Sequence, residues 1–218
     1  MQLSKEARFA MLLDDMGFIL GGIHEAILTT VNRDGSFNPA PMGVFRAEPE
    51  ILELRPFKFS ATYENLLQES KACVNLTNDP MLYLVTAFKD EVQGYRQPTI
   101  DERMRLNEAD AYIFVKASEH QGISENRARF MCQIEEIEAE YTRPQVFSRG
   151  KAEAIEAVIH ATRIKTFSSR QEWGDLERLI KLSAECKDVV ERVSPPGSVE
   201  MRVVEELERM ILRWRGTK

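Results

Sequence analysis

The sequence contains few cysteines and no long apolar run, and both absences limit what the protein can be. Among its 218 residues are three cysteines, Cys73, Cys132 and Cys186, which are far apart and odd in number. No two of them have the spacing of a metal site, so we expect neither a disulfide framework nor a metal. No apolar run approaches the roughly 20 residues of a membrane-spanning helix. Residues 1–6 lack a secretory pattern, and we expect a cytoplasmic protein without a membrane partner.

Basic residues are also fewer than acidic ones. The chain carries 29 lysines and arginines against 35 aspartates and glutamates, a net charge of −6, so we expect no nucleic-acid partner. The sequence has no glycine-rich dinucleotide fingerprint after a strand, no P-loop, no GxSxG and no HExxH. A Rossmann nicotinamide site, a P-loop nucleotide site, a serine hydrolase and a zinc peptidase are therefore not indicated.

A hairpin with an unusual second strand is the most informative feature of the chain. Residues 27–31 form a branched run that leads into Asp34-Gly35, a dipeptide typical of tight turns between strands. The returning strand is Asn38-Pro39-Ala40-Pro41-Met42-Gly43-Val44, with prolines at alternate positions. Alternate residues of a strand turn their backbone N–H groups to the same side. That side therefore lacks two donors and keeps the carbonyls of both prolines.

This proline-containing strand has two interpretations, and the residue pattern favours neither. It is either an edge strand that proline protects against aggregation, or one wall of a slot for a planar ligand. In the second case Gly43 allows a ligand to approach the backbone, and Asn38 offers both a donor and an acceptor. Met42 then covers a face of the ligand, unless it only packs. Thr29, on the partner strand, would line the same slot.

A second candidate feature lies where a short helix is predicted to begin. It comprises Arg55, Lys58, Ser60, Thr62 and Asn65, with Thr62 as the expected N-cap. A helix N-terminus offers unpaired N–H groups to an anion, and hydroxyls add further donors. The two cations would supply local positive charge on an acidic chain. The residues thus form either a phosphate site or an ordinary helix cap with surface cations.

The hydrophobic periodicity divides the chain into a β-rich part and a helical part. We predict strands at 18–31, 37–46, 50–57, 72–75, 82–88, 111–117 and 128–141, and helices at 5–15 and 62–70. From residue 150 the apolar residues follow helical spacing, and Ser169-x-x-Glu172 predicts the start of a further helix. This order favours an α+β fold, with one domain at 1–146 and a helical subdomain at 147–218.

Several stretches, in this order, resemble the FMN-binding split-barrel superfamily, which includes the flavin reductases and the pyridoxamine-phosphate-oxidase-like proteins. They are residues 38–44, 60–66 and 74–76. A later stretch, Arg149-Gly150 with residues 155–163, is similar to an uncharacterised, mostly archaeal group of FMN-binding proteins. The resemblance implies an antiparallel split β-barrel, a C-terminal helical extension and FMN as the cofactor.

The resemblance also implies a site and an activity. It places the FMN phosphate at residues 60–65 and the flavin at the interface of a homodimer. The cofactor-binding residues expected are Thr29, Asn38, Pro39, Ala40, Pro41, Met42, Gly43, Arg55, Lys58, Ser60, Thr62 and Asn65. The activity implied is an oxidoreductase of flavin-reductase type that uses NAD(P)H or another small redox substrate. The alternative is a non-catalytic FMN-binding module, in which the flavin is stored, is sensed or has a structural role. No catalytic residue is assigned.

Four further residues are left without a defined part in the site. We expect His24 to be a hydrogen-bonded structural histidine. His160 lies three residues before Arg163 on a predicted helix, where a surface or interface position is expected more than catalysis. Arg127 lies at the start of a predicted strand. We expect its side chain to be solvated, and the alternative is that it reaches a cofactor across a dimer.

Overall fold

The protein is described by a computed structural model that covers residues 4–92, 94–139, 148–170 and 175–216. Its contacts define two compact units, Met1–Thr77 with Pro98–Thr142, and Asn78–Gln97 with Arg143–Lys218. The predicted domain boundary at residues 146 and 147 lies outside the described residues.

The first unit is an antiparallel β-barrel. Its strands are β1 (Ile23–Val31), β2 (Phe37–Glu48), β3 (Ile51–Leu54), β4 (Lys71–Leu76), β5 (Ala111–Gly122) and β6 (Ala128–Ala139). Around the closed barrel the order is β1, β2, β3, β6, β5 and β4. Helix α1 (Lys5–Asp15) precedes β1, and α2 (Ala61–Glu69) lies between β3 and β4.

Residues that alternate along the strands fill the interior of the barrel. Leu28 of β1, Val44 of β2 and Val74 of β4 belong to one buried cluster, and Leu66 packs into it from α2. Because successive side chains of a strand point to opposite faces, the even-numbered residues of β2 turn inward. The prolines and Gly43 of β2 therefore face outward.

Strand β2 has different neighbours along its two sides. It pairs with β1 from Phe37 to Phe45, whereas β3 pairs with it only from Val44 onward. A proline cannot donate to a ladder, so the two prolines occupy positions whose backbone groups face away from β1. In the part of the chain that the structure describes, no strand pairs with residues 38–43 on that second side.

The second unit is helical. It contains α3 (Pro80–Ala87), α4 (Arg149–Arg170), α5 (Leu176–Val193) and α6 (Val199–Gly216). The α+β fold expected from the sequence, an antiparallel split barrel followed by helices, is confirmed. None of the described helices is long and apolar enough to cross a bilayer.

The strand predicted at residues 82–88 is wrong, because this segment lies in α3. Asp79 caps the helix by accepting a 2.8 Å hydrogen bond from the N–H of Met81. Pro80 occupies the first turn, where its missing N–H has no partner to lose. The residues that follow are almost all buried, and a short apolar run of this kind has the same pattern in a buried strand and in a buried helix.

Two predicted helix starts are also wrong. Ser60, rather than Thr62, caps α2, and its hydroxyl accepts a 3.3 Å hydrogen bond from the N–H of Tyr63. Helix α4 continues to Arg170, so Ser169 lies inside it instead of opening the next helix. A capping pattern is a local signal, and the long amphipathic face of α4 overrides it.

A buried arginine ties α1 to the barrel. Arg46 of β2 is only 3% exposed. It donates hydrogen bonds to the carboxylate of Asp14 at 2.5 Å and to the carbonyl oxygens of Phe18 at 2.7 Å, Ala10 at 3.2 Å and Pro49 at 2.9 Å. One side chain thus satisfies carbonyl groups from three segments of the chain.

We predict that Arg46→Met lowers the free energy of unfolding by about 2–4 kcal/mol, because several carbonyl oxygens lose their donor. Asp14→Asn should cost at most about 1 kcal/mol, since the Asp14 side chain is 66% exposed and its ion pair is screened by water. Urea unfolding followed by circular dichroism measures both variants. Equal losses would contradict the assignment of the stabilisation to the carbonyl contacts.

Candidate functional site

The outer face of β2 carries three of the predicted site residues, Pro39, Pro41 and Gly43, which we call the ring arm. Pro39 is buried, and the other two are half-buried. A Cβ atom at position 43 would lie only 2.8 Å from Cγ2 of Ile23 and 3.4 Å from Oε1 of Glu25. The missing side chain of Gly43 therefore makes room for side chains of the neighbouring strand.

The other predicted residues of these two strands lie away from the surface. Met42 packs against the core of the barrel, which is the alternative that the sequence left open for it. Ala40 shares the inward face of β2 and is half-buried. Thr29 is fully buried, and its hydroxyl accepts a 3.0 Å hydrogen bond from the side-chain amide of Asn75.

Thr30, Asn38, Thr62 and Asn65 form a buried group that we call the polar plug. All four side chains are buried, and Thr30 has no exposed surface. The side-chain nitrogen of Asn38 donates to the hydroxyl oxygens of Thr62 at 3.2 Å and Thr30 at 3.4 Å. The structure thus brings three predicted site residues together, but as partners of one another.

The amide of Asn65 completes the polar plug. Its oxygen accepts a hydrogen bond of 2.9 Å from the hydroxyl of Thr30. Its nitrogen then donates to the carbonyl oxygens of Ala61 at 3.2 Å and Val31 at 3.3 Å. In this orientation the hydroxyl of Thr30 accepts a hydrogen bond from the side-chain amide of Asn38 and donates one to the side-chain oxygen of Asn65, so each of these donors has an acceptor.

The loop between β3 and α2 collects the cations of the site. Its Phe57 bridges to Arg127 near the tip of the β5–β6 hairpin, and the Arg127 guanidinium lies 3.9 Å from the centroid of the Phe57 ring. The ammonium group of Lys58, in the same loop, donates a 2.8 Å hydrogen bond to the carbonyl of Ser124, which also lies at that tip. Arg127 also donates to the backbone carbonyl of Arg55 at 3.0 Å. We call Arg55, Lys58 and Arg127 the basic loop.

The three cations of the basic loop differ in how far their charge is compensated. Arg55 forms an ion pair with Glu53 and lies 4.8 Å from the centroid of the Phe45 ring. The ammonium group of Lys58 donates to a backbone carbonyl, and this neutral acceptor does not compensate its positive charge. The hydroxyl of Ser60, at the start of α2, donates to the carbonyl of Phe57 at 2.7 Å and thereby fixes the loop to the helix.

Sequence reasoning named Arg55, Lys58 and Ser60 but left Arg127 unassigned. Arg127 is brought to the loop by the pairing of residues 57 and 127, which are 70 positions apart. No local spacing contains that information. The only sequence signal was the position of Arg127 at the start of a strand.

The histidines assigned in the sequence differ in environment. The ring nitrogen Nε2 of His24 accepts a 2.9 Å hydrogen bond from the N–H of Ile19, and the ring packs against Phe18, so the structural interpretation of His24 is confirmed. His160 is only 7% exposed, so of the two positions expected for it the surface is ruled out, and a position against other parts of the chain agrees with its burial. Burial on α4 is the main reason that the pKa of His160 lies below its usual value. Arg163, one turn later, is exposed.

The thiols offer no nucleophile at neutral pH. Burial raises the pKa of Cys73 and of Cys132 to about 12, so both remain protonated. Among the described residues, no three His, Cys, Asp or Glu side chains are arranged to hold a metal ion.

Comparison with known proteins assigns a family. The sequence profile of a family described as "Protein of unknown function (DUF447) N-terminal domain" matches residues 24–143, more than half of the chain. The chain belongs to the DUF447 family. An FMN-bound protein of the same family from Methanosarcina mazei has a similar structure, with a TM-score of 0.70 and 24% sequence identity. The match covers 90% of this DUF447 chain and 98% of that protein.

Two flavin reductases are similar to this DUF447 protein at a lower level. One, in its native state, has 17% identity and a TM-score of 0.45, with 61% of this chain and 88% of that one covered. The other is the styrene monooxygenase flavin reductase of Pseudomonas putida, with 14% identity, a TM-score of 0.44 and coverage of 57% and 85%. These values add no argument to the family match.

Proposed function

We propose that this protein binds FMN, with the phosphate at the basic loop and the ring against the ring arm. The observation that carries the proposal is the gathering of Arg55, Lys58 and Arg127 around the start of α2 on a chain of net charge −6. The FMN-bound state of the related protein from Methanosarcina mazei supports the same ligand.

The residues present fit the phosphate of FMN. The ammonium of Lys58 has three donors, of which the contact with Ser124 uses one. The guanidinium of Arg127 lies over the Phe57 ring and donates to the carbonyl of Arg55, and these two contacts restrict its rotamers before any anion arrives. Arg55 contributes less, because Glu53 already neutralises it. Ser60 orients the loop through its two hydrogen bonds rather than through a free hydroxyl.

The ring arm fits the polar edge of a flavin. The side of β2 that faces away from β1 lacks proline N–H groups, and no described strand covers it over residues 38–43. On this edge the carbonyl of Pro41 would accept a hydrogen bond from the imide N–H of the ring. The half-buried outer surface of Pro41 adds an apolar support.

We further propose that the protein is an oxidoreductase of flavin-reductase type. Bound FMN would supply the hydride and electron transfer chemistry. The protein's own residues bind the phosphate, orient the ring and limit the access of water, tasks that need no acid–base pair. A nicotinamide substrate could stack on the exposed face of the ring, which is consistent with the lack of a Rossmann fingerprint.

We also propose that the protein is a homodimer. Ile19, Leu20 and Ile23 are 69%, 56% and 60% exposed. Ile23 lies against the position of Gly43, so its side chain continues the surface of the ring arm, and Ile19 and Leu20 precede it in the chain. Exposed aliphatic side chains gathered next to a binding site are typical of surfaces that another protein covers. A second copy seated there would shield the ring from water.

The phosphate assignment predicts a selective loss of affinity. We expect Lys58→Met and Arg127→Met each to weaken FMN binding about tenfold, roughly 1.4 kcal/mol, because each removes a charged donor. Riboflavin, which lacks the phosphate, should bind these variants as it binds the wild type. Quenching of flavin fluorescence measures both ligands.

The matched control for this experiment is Arg33→Met, because Arg33 donates to Gln68 near the far end of α2. It should leave both affinities unchanged. A wild-type protein that does not bind FMN would remove the proposed function, and equal losses for FMN and riboflavin would remove the phosphate assignment.

The redox assignment is tested under anaerobic conditions with the FMN-loaded protein. We expect NADH or NADPH to bleach the yellow absorption of the flavin, and an added electron acceptor to restore it over many turnovers. Heat-released FMN at the same concentration is the control for reaction in free solution. If dithionite bleaches the bound flavin and neither nicotinamide does, the non-catalytic module replaces the reductase.

The dimer is tested by light scattering. We expect a particle of twice the chain mass of 25.0 kDa. Leu20→Glu combined with Ile23→Glu should yield monomers and weaken FMN binding, whereas Leu212→Glu, equally exposed on α6, should change neither. A monomeric wild type that retains FMN would contradict the proposal.

A further inference from the structure

The polar plug is the place where sequence reasoning expected ligands and the structure shows hydrogen bonds between buried side chains. We propose that the polar plug positions the first turn of α2, and that it thereby sets the preference of the site for a phosphorylated flavin. This inference rests on the proposed function, namely on an FMN phosphate at the basic loop. Its members act as positioning residues, because they touch each other and not the ligand.

The plug is built from one pair on the sheet and one pair on the helix. Thr30 and Asn38 lie directly opposite each other in the β1–β2 register. Thr62 and Asn65 are three residues apart on α2 and therefore share a face of that helix. The two pairs meet at one end of the barrel interior, where a cluster of apolar residues would be expected.

Three hydrogen bonds of the plug run from α2 to the strands. They join Thr62 to Asn38 at 3.2 Å, Asn65 to Thr30 at 2.9 Å, and Asn65 to the carbonyl of Val31 at 3.3 Å. All the side chains involved are buried, so water does not replace a broken bond without cost. A change that removes one partner leaves an unpaired polar group in the interior.

Directional bonds fix the helix more narrowly than its apolar contacts do. The apolar anchors of α2 are Leu66, which is buried in the core, and Tyr63, which packs against it. Apolar contact is non-directional and tolerates small rotations of a helix. The hydrogen bonds set the rotation and the height of the first turn. They thereby also set the position of the basic loop, because Ser60 caps α2 and its hydroxyl donates to the carbonyl of Phe57 in that loop.

A substitution at Thr30 distinguishes a positioning role of the polar plug from direct contact with the phosphate. It has no exposed surface, so it cannot touch a phosphate from its place in β1. Any effect of its hydroxyl on phosphate recognition must pass through Asn38 or Asn65. Thr62, by contrast, lies on the helix beside the loop, and its loss alone would not distinguish the two explanations.

The test compares Thr30→Val with Thr30→Ser in the full-length protein. Valine has the shape of threonine without the hydroxyl, whereas serine keeps it. The measured quantity is the ratio of the dissociation constants of riboflavin and FMN. We expect this ratio to fall about tenfold in Thr30→Val and to stay within about twofold of the wild type in Thr30→Ser. Riboflavin affinity should change little in either variant, which shows that the ring arm is intact.

A wild-type ratio in a folded Thr30→Val protein would overturn the inference and leave the proposed function standing. A wild type that binds riboflavin as tightly as FMN would overturn the proposed phosphate site itself. If Thr30→Val does not fold, the same comparison is made with Thr62→Val and Thr62→Ser, combined with Lys58→Met. A positioning role predicts that Thr62→Val has less effect on the ratio when Lys58 is already absent, and simple additivity would overturn it.

Discussion

The fold of the site depends on the unequal pairing of one strand. Strand β2 pairs with β1 from Phe37 to Phe45 and with β3 only from Val44 onward. The prolines prevent a ladder on the second side, so a backbone edge remains within a closed barrel without a competing strand. Once that edge exists, the inward and outward residues of β2 have separate uses, because side chains alternate along a strand. The outward ones offer a surface, and the inward ones hold a helix.

Charge in this protein is organised locally and not over the whole chain. The chain as a whole carries an excess of acidic residues, yet one loop and one hairpin tip bring three basic side chains together. The electrostatic effect of these side chains is local, since screening limits the influence of distant charges to about 8–10 Å. An aromatic ring and several backbone carbonyls hold the basic groups in place, so their positions are defined by the barrel itself.

The sequence predicted the fold class and most of the strands because those depend on alternation and on turn residues that lie next to each other. It did not predict α3, since a short apolar run is equally consistent with a strand. It identified Asn38, Thr62 and Asn65 as polar residues of a binding site, but their burial depends on how α2 packs across β1 and β2. Arg127 was out of reach for a related reason, because its partner loop is distant in the sequence. Residue types that suit a binding site could be recognised from the sequence, whereas contacts between distant segments could not.

The chain leaves the barrel unit after Thr77 and returns to it at Pro98, and the excursion contains α3. The buried residues Leu82, Leu84 and Val85 of that helix belong to the same compact unit as α4, α5 and α6. Shortening the protein after the last strand would thus strip α3 of its packing and expose an apolar surface in the middle of the remaining polypeptide. Residues of the helical unit therefore stand between two barrel segments in the chain, and a cut at one point cannot separate the two units.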